Sequence, residues 1–473
     1  VLFNSPDYVL LLILAVAGYW LLAHHRLARL AFIFIASCAF YMAWHPYYIV
    51  LILGSTVLDF TAGHFIHTSS TKRAKRAWLF ASVAGNLGLL GTFKYFNFFG
   101  RATADVVSLI GVEFTPPVLD VLLPVGISFY TFQTMSYTID IYRGRLEPTK
   151  NILEFAFFVT YFPQLVAGPI VRASELLPQL KKVPELRREE VGRGLFLIAT
   201  GMVKKVAIAD YLSVSLVDRV FANPELYTAT EVVFALYGFT VQIYCDFSGY
   251  TDVARGSAML MGLRLPRNFD RPYQSASPAE FWRTWHMTLS TWLRDYLYFP
   301  LGGSRVSPPR AYFNLFVTMF LIGIWHGASW TFVLYALLQA GAMVVHRFFF
   351  RRSRRKRDTV DPWTTHAVKV FACLQFVVFS RILFRATSID NAWDVTSRLF
   401  SGTTSMAQVS TTVFIVLVLS LGAHYTPRRW FEGIEQRFIK LPALAQGALL
   451  GAVAGFLGLV ATTEVVPYIY FQF

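Results

Sequence analysis

Residues 280–303 read EFWRTWHMTLSTWLRDYLYFPLGG, and after a short basic turn residues 311–327 read AYFNLFVTMFLIGIWHG. Two histidines, His286 and His326, each follow a tryptophan, Trp285 and Trp325. In the first stretch Phe281, Trp282, Trp285, Leu289, Leu293, Tyr296 and Leu297 recur at spacings of 1, 3 and 4, the pattern of one face of an amphipathic helix. The second stretch is apolar until its last turn, where an ionisable group is costly at membrane depth. A histidine exchanges a proton near neutral pH, which suits it to activating a hydroxyl. The same pattern also fits two histidines that only hydrogen-bond to nearby backbone and hold helices together.

Working outward, the chain of 473 residues is 55% hydrophobic and 16% aromatic, and long apolar runs recur along it. These runs, and the absence of alternating strand patterns, define an all-α polytopic membrane protein rather than a soluble one or a transmembrane barrel. The formal net charge is +15, carried mainly by loops between apolar runs. In that setting the charge reports topology and anionic membrane lipid, not nucleic acid. Cys38, Cys245 and Cys373 lie in or beside apolar segments without metal-ligand spacing and read as buried free thiols. The first apolar run follows Asp7 with no basic leader or small-residue cleavage site, and reads as a retained first helix.

Apolar runs fall near 8–23, 27–44, 46–67, 78–100, 121–142, 151–170, 194–216, 228–248, 310–326, 328–350, 366–386, 406–424 and 443–462, enough for about 11–13 transmembrane helices. No soluble domain or internal repeat interrupts them, so residues 1–473 read as one membrane-embedded domain. Basic loops at 72–76, 143–145, 172–193, 351–357 and 428–440 can all face the cytoplasm only if run 151–170 enters and leaves on one side. Its Pro163, Gly168 and Pro169 favour such a broken, re-entrant element. Lys204 and Lys205, inside a run read as spanning, sit awkwardly with this scheme. Residues 249–309, rich in Gly, Pro, Trp and Arg, read as amphipathic and re-entrant pieces lining a cavity.

Other ionisable groups stand in apolar surroundings. Asp59, Lys94, Asp140, Asp246 and Asp252 mark either a functional cavity or paired structural groups, and Lys94 suits snorkelling. Asp246 and Asp252 flank FSGYT, a stretch able to bend around a substrate. Arg283, Arg294, Arg305 and Arg310 near His286 are candidates to hold the phosphates of an anionic donor, or simple positive-inside anchors. Trp285, Trp325, Asp246, Asp252 and Asp295 are candidate cavity and supporting groups. The chain lacks P-loop, HExxH, GxSxG and paired CxxC patterns, and His286 and His326 have no convincing further metal ligands.

NLGLLGTFKYFNFF at 86–99, LPVGISFYTFQTMSYTIDIYRG at 123–144, FPQLVAGPIVR at 162–172, YCDFSGYTDVARG at 244–256, NFDRPY at 268–273, IWHGASW at 324–330 and PYIYFQF at 467–473, together with the 280–303 stretch, resemble the membrane-bound O-acyltransferase family, in its bacterial alginate O-acetyltransferase-like branch. The resemblance implies that His326 is the active-site histidine and His286 a second polar site residue. It implies a many-helix ring around a thinned centre, and passage of an acetyl group from a cytoplasmic donor to a periplasmic or membrane-anchored acetyltransferase partner that modifies an exported polysaccharide. The setting it implies is a bacterial inner membrane.

The expected mechanism is acyl transfer from acetyl-CoA, used as a substrate and not as a bound cofactor. His326 is the general base on an acceptor hydroxyl, kept neutral by burial. His286 orients it or polarises the thioester carbonyl, and an acyl-histidine intermediate is the alternative. A transporter or flippase would instead show matched broken segments in two halves, which this chain lacks. A structural scaffold of an export complex would leave the histidines without chemistry.

Overall fold

Apolar runs framed by capping residues become helices. Ser5 caps Pro6–Leu21 by accepting from the Tyr8 amide, Thr71 caps Lys72–Leu90, Asn151 caps Ile152–Thr160, and Ser410 caps Thr411–Tyr425. A computed structural model describes residues 3–352, 361–461 and 466–469. Every regular element among the described residues is helical. Among them five helices are long and apolar enough to cross a membrane: Pro46–Thr68, Ala229–Leu260, Trp330–Phe349, Trp363–Arg385 and Ala443–Val460. Pro6–Leu21 and Thr411–Tyr425 are shorter apolar helices. Leu419, Leu444 and Leu459 are exposed on such helices, as lipid-facing side chains are. The chain is a polytopic α-helical membrane protein. Most of basic run 351–357 lies outside the described residues.

The chain packs as two compact units, Val1–Gly194 with Ala254–Pro266, and Leu195–Val253 with Arg267–Phe473. In the first, Asp59 accepts from Ser82 Oγ (2.5 Å) and Asn86 Nδ2 (2.7 Å), while Ser55 Oγ donates to Asn86 Oδ1 (2.7 Å). Thr134 Oγ1, on helix Ile127–Tyr142, also donates to Asn86 Oδ1 (3.2 Å), so the network ties three helices together and assigns Asp59 a structural role. Run 151–170 is broken, as its prolines and glycine require. Helix Ile152–Thr160 has 9 residues, too short for a hydrocarbon core of about 30 Å. A four-residue turn, Phe162–Leu165, follows. Gln133 and Gln164 both donate to the Phe158 carbonyl left open near the break (2.6 and 2.8 Å).

In the second unit two expectations are corrected. Asp246 and Asp252 do not flank a bend, because helix Ala229–Leu260 runs unbroken through FSGYT. Gly249 serves close packing instead: a Cβ there would lie 2.7 Å from the Gly201 carbonyl oxygen. The 281–297 face is also not one helix. It divides into Pro278–Thr284 and Met287–Leu293, the latter continuing as a wide turn over Arg294–Tyr298. The break falls at Trp285–His286, where His286 takes a left-handed conformation (φ 42°). Lys204 and Lys205 also find their explanation here. Lys204 pairs with Asp252 (2.6 Å), and Lys205 with both Asp210 (2.7 Å) and Asp246 (2.8 Å). Asp246 accepts from the Ile469 amide (2.9 Å), and Lys205 Nζ lies 4.3 Å from the Tyr468 ring centre. Two charges that looked misplaced in an apolar run are thus internally neutralised.

Candidate active site

The helix break at Trp285–His286 frees backbone groups that need partners, and the extended segment 268–270 supplies them. The Asp270 amide donates to the Thr284 carbonyl (2.9 Å), and the Met287 amide to the Asn268 carbonyl (3.0 Å). Asn268 Oδ1 accepts from Thr288 Oγ1 (2.6 Å) and from the Thr288 amide (3.3 Å). NFDRPY is therefore a clasp that holds His286 in its turn. The imidazole is fully buried, and the Phe247 ring meets it edge-on at 4.7 Å. Burial pushes its pKa down to about 3, so it is neutral at physiological pH.

His326 is the last residue of helix Pro308–His326 and is buried. Its ring lies 5.2 Å from the Trp325 ring and 5.2 Å from the Phe384 ring, with Tyr335 at 6.5 Å. Trp325 also lies 5.7 Å from His286, so one indole touches both histidines. The return helix Trp330–Arg352 packs close because Gly323 has no side chain: a Cβ there would come within 2.5 Å of the Ala336 Cα. Gly327 does not leave open room for a substrate. Phe332 fills the gap, its ring 2.2 Å from where a Cβ would stand, and it leans on Phe384 at 5.1 Å.

The opposite wall comes from helix Trp363–Arg385. Arg381 is 1% exposed, with its guanidinium carbon 4.7 Å from the Trp285 ring centre and 5.3 Å from that of Phe384. Trp285 in turn stacks on Phe281 at 5.5 Å and meets Phe269 edge-on at 5.0 Å. Gln339 fixes this wall, accepting from Trp282 Nε1 (3.3 Å) and donating to Ser380 Oγ (3.1 Å).

The structure thus brings His286, His326, Trp285 and Trp325 together. It does not place the candidate donor-binding arginines with them. Arg283 is exposed and donates to the Ala279 carbonyl (3.1 Å), Arg294 is exposed and pairs with Asp295 (2.7 Å), and Arg305 and Arg310 are exposed. Asp246 and Asp252 serve the lysine pairs and Asp295 serves Arg294. Arg381, Phe384 and Tyr335 are the site groups that the sequence reading passes over. Arg381 carries the same signal as Asp246, an ionisable residue inside the apolar run 366–386. Among the described residues no cluster of three or more His, Cys, Asp or Glu side chains is arranged to hold a metal ion.

The family model of the MBOAT, membrane-bound O-acyltransferase family matches residues 146–388, a span that includes both histidines and Arg381. The chain belongs to the membrane-bound O-acyltransferase family. It is 38% identical to the probable alginate O-acetylase AlgI of Pseudomonas aeruginosa over 88% of this chain and 80% of that protein. It is 34% identical to the peptidoglycan O-acetyltransferase of Helicobacter pylori over 83% of this chain and 79% of the relative. A third relative, the teichoic acid D-alanyltransferase of Bacillus subtilis, is 28% identical over 54% of this chain and 68% of its own length. As a membrane-bound O-acyltransferase the protein moves acyl groups to oxygen, and its buried pair of histidines in an aromatic enclosure is the candidate place for that chemistry.

Proposed function

We propose that the protein takes an acetyl group from acetyl-CoA at the cytoplasmic face of a bacterial inner membrane and passes it outward for O-acetylation of an exported polysaccharide. The observation that carries this reading is His326. It is a buried imidazole at the end of an apolar helix, enclosed by Trp325, Phe384 and Tyr335. An imidazole in a water-poor enclosure is placed to take a hydroxyl proton while keeping water from the thioester. His326 is the general base, and His286, touching the same indole, positions the reacting groups. Similarity to an alginate O-acetylase and to a peptidoglycan O-acetyltransferase supports a glycan hydroxyl as the final acceptor. The histidines are buried, so a hydrophilic polymer needs a periplasmic or membrane-anchored acetyltransferase partner to receive the group. Residues 1–473 act in this as one membrane-embedded domain.

The test is thioester consumption. Purified protein in detergent, supplied with acetyl-CoA and a hydroxyl acceptor, is expected to release CoA above the rate of a preparation lacking it. A rate equal to that blank would favour a scaffold or transporter and overturn the reading.

A further inference from the structure

Among the described residues, the fully buried cations other than Arg381 have most of their donors visibly matched. Lys205 has two carboxylates and Lys204 has one. Arg29 donates from Nη1 to the Ala23 carbonyl (2.6 Å) and from Nη2 to that of Lys182 (3.1 Å), leaving its Nε alone without an acceptor. Arg381 differs. It is 1% exposed, no carboxylate among the described residues pairs with it, and both Nε and Nη2 are buried without an acceptor. The Tyr273 hydroxyl donates to the Thr240 carbonyl (2.6 Å) and its oxygen is a hydrogen-bond partner of the Arg381 guanidinium, but the Nε–Nη2 edge stays open.

A guanidinium taken out of water with two of its three nitrogens left without acceptors is costly, and stacking on Trp285 and Phe384 recovers only part of that cost. Nε–H and the adjacent Nη2–H point the same way and form the fork that grips oxygen. The fork stands beside the ring that walls His326, because Phe384 touches both side chains. The surroundings are aromatic, which disfavours a doubly charged phosphate and favours a group that is neutral on entry and gains charge during reaction.

We propose that Arg381 is a catalytic residue, its Nε–H/Nη2–H edge receiving the carbonyl oxygen of the acyl donor as that oxygen becomes an oxyanion. The inference rests on the acyl-transfer reading above. In the step, the acceptor oxygen bonds to the thioester carbonyl carbon while His326 takes the hydroxyl proton. The carbonyl π pair moves onto oxygen and is held by Arg381. Collapse re-forms the C=O bond and breaks C–S, and the departing thiolate takes the proton from the His326 imidazolium. Atoms and charge balance without a further reagent.

Membrane vesicles containing the full chain and its acceptor system, with vesicles of a deletion strain as background, allow the test. Thiol release is measured with acetyl-CoA and with the thioacetate of N-acetylcysteamine, which carries no phosphate. Arg381→Gln is expected to lower kcat by about 10²–10³-fold on both donors, with little change in KM. Arg381→Lys, which keeps charge but loses the fork, is expected to fall between. Loss confined to acetyl-CoA and to KM would reassign Arg381 to a donor phosphate and overturn the proposal. Unchanged kcat on both donors would also overturn it. Arg381→Met supplies the structural arm: removal of an unmatched buried charge is expected to leave the melting temperature equal or higher while activity collapses. A large fall in melting temperature would mark the arginine as a packing element and overturn the proposal. A wild-type protein with no thiol release on either donor would instead sink the acyl-transfer reading, and this proposal with it.

Discussion

Asn268 holds Thr288 at both ends, its side-chain oxygen accepting from the Thr288 hydroxyl at 2.6 Å and the Thr288 amide at 3.3 Å. That grip starts the helix immediately after His286. Asn268→Ala removes both bonds, a loss expected to cost about 1–3 kcal/mol. The expected outcome is a lower melting temperature in detergent together with a fall in acetyl transfer. Unchanged stability would mean that the backbone bonds of the clasp suffice alone.

For His326, both Ala and Gln substitutions are expected to remove acetyl transfer, a loss of about 10²–10⁴-fold or more, while size-exclusion profiles stay those of folded protein. Gln keeps a hydrogen-bonding side chain but accepts no proton at neutral pH. Substantial activity in the Gln variant would move the chemistry to His286.

His286 gives a pH signature. Its folded-state pKa, about 3, lies below the ordinary histidine value of about 6.5, so the unfolded chain binds the extra proton first. The stability it contributes is present above about pH 6.5 and is lost as pH falls toward 3. His286→Asn, which tolerates the left-handed backbone, is expected to flatten that part of a melting-temperature profile. An acid limb identical to wild type would show that other groups set it.

Lys205 is expected to be essential for folding. Lys205→Met strands Asp210 and Asp246 and is expected to cost about 3–5 kcal/mol. Adding Asp210→Asn and Asp246→Asn is expected to restore much of the stability, read by thermal denaturation. Failure of the triple variant to recover would point to a role for the charges beyond mutual neutralisation.

Ser70 follows helix Pro46–Thr68 and precedes the basic cluster at 72–76. A cysteine there is expected to be shielded from an impermeant thiol reagent in intact cells and labelled after permeabilisation. Labelling from outside would reverse the orientation and the entry side proposed for the donor.

Hydrophobic periodicity made the helices legible, and the cost of ionisable groups in apolar runs singled out His326, Asp59 and the lysine-matched carboxylates. It could not say which such residues are matched. Asp246 and Lys205 stand 41 positions apart, and their pairing exists only once two helices pack against each other. Arg381 gives the same sequence signal as either, and only its open edge sets it apart. The break at Trp285–His286 was hidden for a related reason. The face from Phe281 to Leu297 keeps helical spacing across it, and the segment that stabilises it, 268–270, looks like a loop until its bonds are seen.

Gly327 and His326 are neighbours in the chain, yet their side-chain spaces communicate by a detour. The missing side chain at 327 is occupied by Phe332, Phe332 leans on Phe384, and Phe384 faces the His326 ring. A methyl group at 327 would therefore work as a wedge, its thrust carried through two aromatic rings back to the imidazole one residue away. Such a wedge is expected to strain the ring stack and lower its stability, so that the stack gives way first on heating. Gly327→Ala is the place to look for a heat-sensitive allele, inserted in the membrane at every temperature but active only in the cold.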